Sequence, residues 1–162
     1  MNSLSSLPMF LDVKCELLSW EDVYEYNRVL AGKIRQSKFR PDVIVAVAPN
    51  GFVPARALTD FLFVEDLRSL DLNRHALHGQ SLKGKKVLVV DDLVNTGASV
   101  NAAVQMVESF NPCEVKTACL FVLEGAGFKP DFYTARKQRK WFVFPWRFLN
   151  DVTQLVASLF PR

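Results

Sequence analysis

Val87-Leu-Val-Val-Asp-Asp-Leu-Val-Asn-Thr-Gly-Ala-Ser99 decides the reading of this chain. Four consecutive apolar residues run into two adjacent carboxylates, Asp91 and Asp92. The apolar run has the character of a strand buried on both faces, as in a parallel sheet. Such sheets bind ligands beyond the carboxyl ends of their strands, which is where the acids are expected to emerge. The turn Asn95-Thr96-Gly97-Ala98-Ser99 precedes helix-like sequence, so it offers backbone N–H groups and two hydroxyls to an anion. One site would thus combine two acids, suited to sugar hydroxyls or a metal ion, with a cradle for a phosphate. An ordinary strand–turn–helix, with solvated acids and Thr96 or Ser99 as a helix cap, is the plainer alternative.

Working outward, the flanking sequence supplies more buried strands and covering helices. Asp42 to Ala48 is a second apolar run, closed by a tight turn at Pro49-Asn50-Gly51. Pro54 then sits where a first helical turn tolerates it, and Ala55 to Leu62 continues as helix. Upstream, Ser19 and Asp22 resemble a capping box. Trp20, Val23, Leu30 and Ile34 follow at helical spacing, and the helix should end near Pro41. Downstream come a helix over 98–110, a strand over 114–123, a loop over 125–139, a strand over 141–144 and an amphipathic helix over 149–160. The segment 65–84 reads least clearly, as a short strand plus a mobile loop. Strands alternating with helices imply an α/β fold with a doubly wound, mostly parallel sheet.

Composition fits one domain over residues 1–162. Hydrophobic residues make up 49%, with 13 Phe and only 7 Gly, which argues against disorder. The net charge of +3 is mild and suits a small anion. Cys15, Cys113 and Cys119 form no C-x-x-C pair and leave an odd count, so reduced thiols and a cytoplasmic location are expected. No stretch approaches the ~18 apolar residues of a membrane span. Met1 to Pro8 shows no signal-peptide pattern. His75 and His78 lack a third ligand at metal spacing. The basic run Arg136-Lys137-Gln138-Arg139-Lys140 has no interleaved aromatics, so it reads as a solvated loop and no nucleic-acid partner is expected. Gly125-Ala-Gly127 lacks the rest of a dinucleotide fingerprint, and no Walker A sequence is present.

The stretch 87–99 resembles the phosphoribosyl-pyrophosphate (PRPP) signature of the type I phosphoribosyltransferases. That signature is four apolar residues, Asp/Glu-Asp, two apolar residues, a variable one, then Thr-Gly-x-Thr/Ser, and it matches without a break. The resemblance extends over roughly residues 19–147. Gly51-Phe-Val-Pro-Ala-Arg56 looks like the helix start after the pyrophosphate loop. Lys129-Pro-Asp-Phe-Tyr133 and Trp141-Phe-Val-Phe-Pro-Trp146 look like the hood of the short prokaryotic 6-oxopurine enzymes.

The resemblance implies a type I phosphoribosyltransferase fold with a small hood from about 1–18 and 124–148. It implies transfer of 5-phosphoribosyl from PRPP to a purine nucleobase, with Mg²⁺ as cofactor and a homodimer as assembly. Asp91, Asp92 and Asn95 would be catalytic, with Asp91 and Asp92 also holding the metal. Asn95, Thr96, Gly97, Ala98 and Ser99 would bind the 5′-phosphate, and Pro49, Asn50 and Gly51 the pyrophosphate. Trp141 and Phe142 would contact the base, Trp141 by stacking, although a plain core aromatic is the other reading of Trp141.

Four positions depart from the family pattern. Pro49-Asn50 replaces a cation-bearing loop, and Asn95 stands where 6-oxopurine enzymes carry Asp. Leu123 falls where a purine-recognising lysine is usual, and Arg147 where an acid is usual. These changes leave the accepted base open. They raise the alternative of a non-catalytic regulatory protein that binds PRPP or a nucleoside monophosphate.

Overall fold

The computed structural model describes residues 15–78 and 81–159. Of the expected hood segment 1–18, residues 1–14 lie outside the described residues. In chain order the elements are β1 (Cys15–Leu17), α1 (Trp20–Gln36), β2 (Val43–Val47), α2 (Phe52–Leu62), β3 (Leu67–Asp71) and β4 (Ala76–Leu77). There follow β5 (Lys86–Val94), α3 (Ala98–Glu108), β6 (Glu114–Leu123), β7 (Phe132–Lys137), β8 (Trp141–Val143), a 3₁₀ turn (Pro145–Arg147) and α4 (Phe148–Leu159). They form two compact units, Glu21–Gln138 and a smaller one of residues 15–20 with 139–159.

The larger unit holds a six-stranded sheet of order β4-β3-β2-β5-β6-β7, parallel except for β4. This is the α/β architecture with a mostly parallel sheet that the apolar runs imply. Val43, Val45 and Val47 of β2 and Val87 and Val89 of β5 pack with Ala103 and Val107 of α3. The two-residue side-chain period sends Ile44, Ala46, Leu88 and Val90, all fully buried, to the opposite face. On that side α1 buries Val23, Leu30, Ala31 and Ile34 at helical spacing. Tyr26 of α1 meets Phe121 of β6 edge-on, with ring centroids 4.8 Å apart. Lys33 Nζ donates to the carbonyls of Tyr133 and Thr134 at 2.7 and 3.0 Å, tying α1 to β7.

Three elements differ from expectation. The motif strand does not stop at Val90 but runs through both acids to Val94, because the ladder with β6 continues as far as Val94 opposite Val122. Part of the segment expected as loop over 125–139 is β7, an edge strand parallel to β6. Its alternation is hidden because all of its residues but the exposed Arg136 are half-buried, rather than split into core and solvent faces. In the described part of 65–84 the expected short strand is β3, but a second, antiparallel strand, β4, follows it, closed by the His78 N–H donating to the Ser69 carbonyl at 3.0 Å.

In the smaller unit β1 pairs in parallel with β8. Asp151 of α4 is 1% exposed. It accepts from the Phe144 N–H at 3.1 Å and pairs with Arg147 at 2.8 Å. Lys140 forms an ion pair with Glu16. Trp146 packs on Phe144 at 4.7 Å and on Trp20 at 6.1 Å.

Candidate functional site

The chain leaves β2 through α2 to β3 on one side, then returns to place β5 on the other side of β2. Strand order therefore reverses between β2 and β5. Open sheets bind ligands at the carboxyl ends of the strands flanking such a switch. Here the two segments at that position are the Ala48–Gly51 turn and the Asn95–Ser99 turn.

Gly51 stands hard against β5. A Cβ built on it would lie 2.3 Å from the Val90 carbonyl oxygen, 2.8 Å from the Val47 carbonyl oxygen and 2.9 Å from the Val47 nitrogen. All three are backbone atoms, so only glycine lets the turn close onto the strand where the acids begin. The Gly51 N–H donates to the Val47 carbonyl at 2.8 Å, and the Ala48 N–H to that of Leu70 at 2.9 Å. Pro49 is exposed and Asn50 half-buried.

Because the strand continues past Val90, the acids lie within it rather than beyond its end. Asp91 is 6% exposed and Asp92 2%. Asp91 Oδ1 accepts the Asp92 N–H at 2.9 Å. Asp91 also lines a small hollow of about 80 Å³ formed with Leu93 and the turn Asn95–Ser99. Its ladder neighbour is Cys119. Burial, first, and the charges of Asp91 and Asp92, second, push the Cys119 thiol far above its ordinary pKa. That residue is a buried thiol under the acids, not a nucleophile.

Asn95, Thr96, Ala98 and Ser99 are exposed, and Gly97 is buried. Gly97 adopts φ +94°, and α3 starts at the next residue. The opening N–H groups of a helix have no partner within it and point outward, an arrangement chemically suited to an anion. The Ala98 N–H donates to Thr96 Oγ1 at 3.3 Å. The Asn101 N–H, one turn on, bonds the Gly97 carbonyl at 2.9 Å.

Sequence reasoning missed what holds this turn from behind. The connection from β6 to β7 passes over it, with the Gly127 N–H donating to the Thr96 carbonyl at 3.1 Å. A Cβ on Gly97 would meet Phe128 Cβ at 2.1 Å. Phe128 also packs on the buried cluster of Val94, Val100, Cys119 and Val122. The available signal was the glycine pair Gly125 and Gly127 before an aromatic, discounted as an incomplete dinucleotide motif.

The structure brings Pro49, Asn50, Gly51, Asp91, Asp92 and Asn95 to Ser99 together in the larger unit. Trp141 and Phe142 belong to the smaller unit, on β8. Phe142 is buried beside Phe144, whereas Trp141 is half-buried with an indole N–H that has no partner among the described residues. Leu123 closes β6 as an apolar residue 5% exposed. Arg147 turns to Asp151 and lies over the Phe144 ring at 5.2 Å. Arg74 is exposed and lies 3.7 Å from Asp71.

Among the described residues no three His, Cys, Asp or Glu side chains gather as a metal cage. Two adjacent carboxylates instead match the way Mg²⁺ is taken, through one or two acids with waters and substrate phosphates completing its shell. No helix among the described residues is long and apolar enough to cross a membrane.

Switch-point turns, paired acids and a glycine-closed helix start characterise this doubly wound α/β protein. The phosphoribosyl transferase domain model matches residues 67–152, and the chain belongs to that family. A purine phosphoribosyltransferase from Pyrococcus horikoshii superposes with a TM-score of 0.72 and 32% identity, over 82% of this chain and 93% of that one. Xanthine phosphoribosyltransferase 1 of Saccharomyces cerevisiae is 27% identical over 123 residues, 56% of this chain and 59% of the relative. Human hypoxanthine-guanine phosphoribosyltransferase is 40% identical over 55 residues, 32% of this chain. That match spans only 25% of the human protein's length.

Proposed function

We propose that this protein is a Mg²⁺-dependent phosphoribosyltransferase that joins a purine base to the 5-phosphoribosyl group of PRPP and releases pyrophosphate, serving base salvage in the cytoplasm as a homodimer. The observation that carries this reading is the joint placement of the Gly51 turn, the paired acids and the Gly97 turn at the β2–β5 switch point.

The reaction exchanges a C1–oxygen bond of ribose for a C1–nitrogen bond. Positive charge develops on the sugar and negative charge on the leaving group, as in glycoside cleavage. Positioning and electrostatic stabilisation therefore dominate over covalent help from the protein. Asn95 to Ser99 bind the 5′-phosphate through backbone amides, with the Thr96 and Ser99 hydroxyls adding donors. Asp91 and Asp92 would bind the ribose hydroxyls and hold Mg²⁺, which when bound would offset the negative charge of the pyrophosphate. Pro49, Asn50 and Gly51 form the turn that faces the pyrophosphate, with the Asn50 backbone N–H and side-chain amide as its donors, since proline has no N–H and the Gly51 N–H bonds the Val47 carbonyl. Asn95 stands beside the reacting base nitrogen, where its amide can hydrogen-bond but not take up a proton. Trp141, half-buried on β8, offers its ring to the base. Phe142, buried behind it, supports the strand.

A second reading, a regulatory protein that binds PRPP or a nucleoside monophosphate without turnover, draws on two observations. Leu123 is buried and apolar, and the Arg147 charge is spent on Asp151. Both readings share the phosphate cradle, so turnover separates them. The pure protein is incubated with Mg²⁺, PRPP and each of adenine, guanine, hypoxanthine, xanthine, uracil and orotate, and released pyrophosphate is measured. A purine-dependent signal that falls in Asp92→Asn, with an unchanged circular dichroism spectrum, supports the enzyme. PRPP binding without product from any base leaves the regulatory reading. Binding of neither PRPP nor any nucleoside monophosphate removes both.

A further inference from the structure

We infer that the open apolar flank of α4 is the docking surface for this chain's own segment 1–11. The inference goes beyond the phosphoribosyl reading, since neither element carries a residue assigned to PRPP or the base. With roughly 100° between successive helical residues, Phe148, Leu149, Val152, Leu155 and Val156 fall within an arc of about 120°. Asp151, just outside one end of that arc, is buried and bonded to Phe144 and Arg147, so the smaller unit covers the helix from that flank. Val152 and Leu155 are half-buried accordingly. Leu149 and Val156, seven residues apart on the other flank, stay 80% and 49% exposed, and Phe148 46%. Three large apolar side chains on one ridge are more than the scattered exposure a surface normally shows.

What covers this ridge must match its lack of charge. Asp151 is the one charged residue of α4, and its carboxylate is buried and paired with Arg147, so the exposed surface of the helix offers no charge to a partner. A nucleic acid, an anionic membrane or a charged peptide would find nothing to pair with there.

Met1-Asn-Ser-Leu-Ser-Ser-Leu-Pro-Met-Phe-Leu11 is equally uncharged and carries Leu4, Leu7, Met9, Phe10 and Leu11. This stretch leads through Asp12, Val13 and Lys14 into β1 at Cys15. β1 lies against β8 with Leu17 opposite Val143, and α4 opens five residues after Val143. Residues 1–14 can span roughly 46–50 Å when extended, against about 18 Å for the length of α4. The segment therefore reaches the whole ridge with slack. Its tether gives it an effective concentration on the order of millimolar at α4, which a second copy of the chain at micromolar concentration does not match. Seated there, the segment anchors β8 twice, by the β1 ladder and by α4.

Photocrosslinking on the full chain tests the assignment. Leu149 is replaced by benzoylphenylalanine, which keeps the position apolar, and an equal mixture of isotopically light and heavy chains is left to exchange, irradiated and digested. The expected product joins residue 149 to a peptide within 1–11, both parts carrying the same isotope. Mixed-isotope products place a second copy on the ridge and overturn the inference, as does the absence of any crosslink to 1–11. Thermal unfolding gives an independent reading. Leu4→Ser/Leu7→Ser and Leu149→Ser/Val156→Ser should each lower Tm, and the four substitutions together should lower it by clearly less than the sum, because both pairs remove one contact. Shifts that add, or α4 substitutions without effect on Tm, mean that the flank lies in water and overturn the inference equally.

Discussion

Replacing Gly51 by alanine adds one methyl group where two central strands leave it no room. Gly51 has φ −71° and ψ −9°, ordinary right-handed values that alanine adopts freely, so the penalty is purely steric. The added carbon would stand 2.3, 2.8 and 2.9 Å from backbone atoms of Val90 and Val47, both in fully hydrogen-bonded strands of the core. Overpacking of this kind costs about 1–3 kcal/mol, and rigid backbone on every side places Gly51→Ala at the upper end. For a domain of this length each kcal/mol lowers Tm by roughly 2–4 °C, so a fall of about 6–12 °C is expected. The Pro49–Gly51 turn is softer than the strands, so it should move away from Asp91 and weaken PRPP binding as well. Gly32→Ala is the opposite control. Nothing lies within 4 Å of its added Cβ, and α1 should gain about 0.8–1.0 kcal/mol of helix propensity. Thermal unfolding followed by circular dichroism, with PRPP titration of the folded variants, measures both. A Gly51→Ala protein with the wild-type Tm and wild-type PRPP affinity would refute the close approach of turn and strand.

Phe128→Ala removes the ring that backs the Gly97 turn. Its ring is half-buried, so about 2 kcal/mol of stability should be lost, with a disproportionate rise in the KM for PRPP that Phe128→Leu partly rescues. Asp66 is bound by Arg68 through bonds of 2.6 and 2.8 Å, which hold its carboxyl below the ordinary aspartate pKa. A depressed folded-state value means that the stabilisation is complete above the unfolded value of about 3.9 and disappears as pH falls through the lower folded value. Urea midpoints of wild type and Asp66→Asn should therefore differ at neutral pH and converge in acid. A gap that persists below that window would show that the ion pair is not its cause. Thiol counting should find Cys15 and Cys113 reactive in the native protein and Cys119 only after unfolding. Three reactive thiols under native conditions would contradict the burial of Cys119 beneath the acids.

Much of the architecture was legible before any coordinates. Runs such as Val43–Val47 and Val87–Val90 are apolar at every position, and a strand reads that way only when both of its faces are covered. The signature 87–99 carried its chemistry in consecutive residues, so the candidate acids, the Gly97 turn and the family could be read locally. β7 could not, because an edge strand whose residues are nearly all half-buried leaves no periodic pattern.

The amino-acid sequence alone determined the class of fold and the local turn proposed to bind phosphate, since both depend on residues adjacent along the chain. Only the tertiary structure decided how far β5 runs, and hence that Asp91 and Asp92 are buried in a strand. The cause is the ladder to β6, a partner that begins twenty residues after Val94. It likewise decided that Gly51 touches Val90 and that Phe128 rests on Gly97. Such contacts join residues some thirty to forty positions apart, and neither glycine announces its neighbour until the sheet has brought the two together.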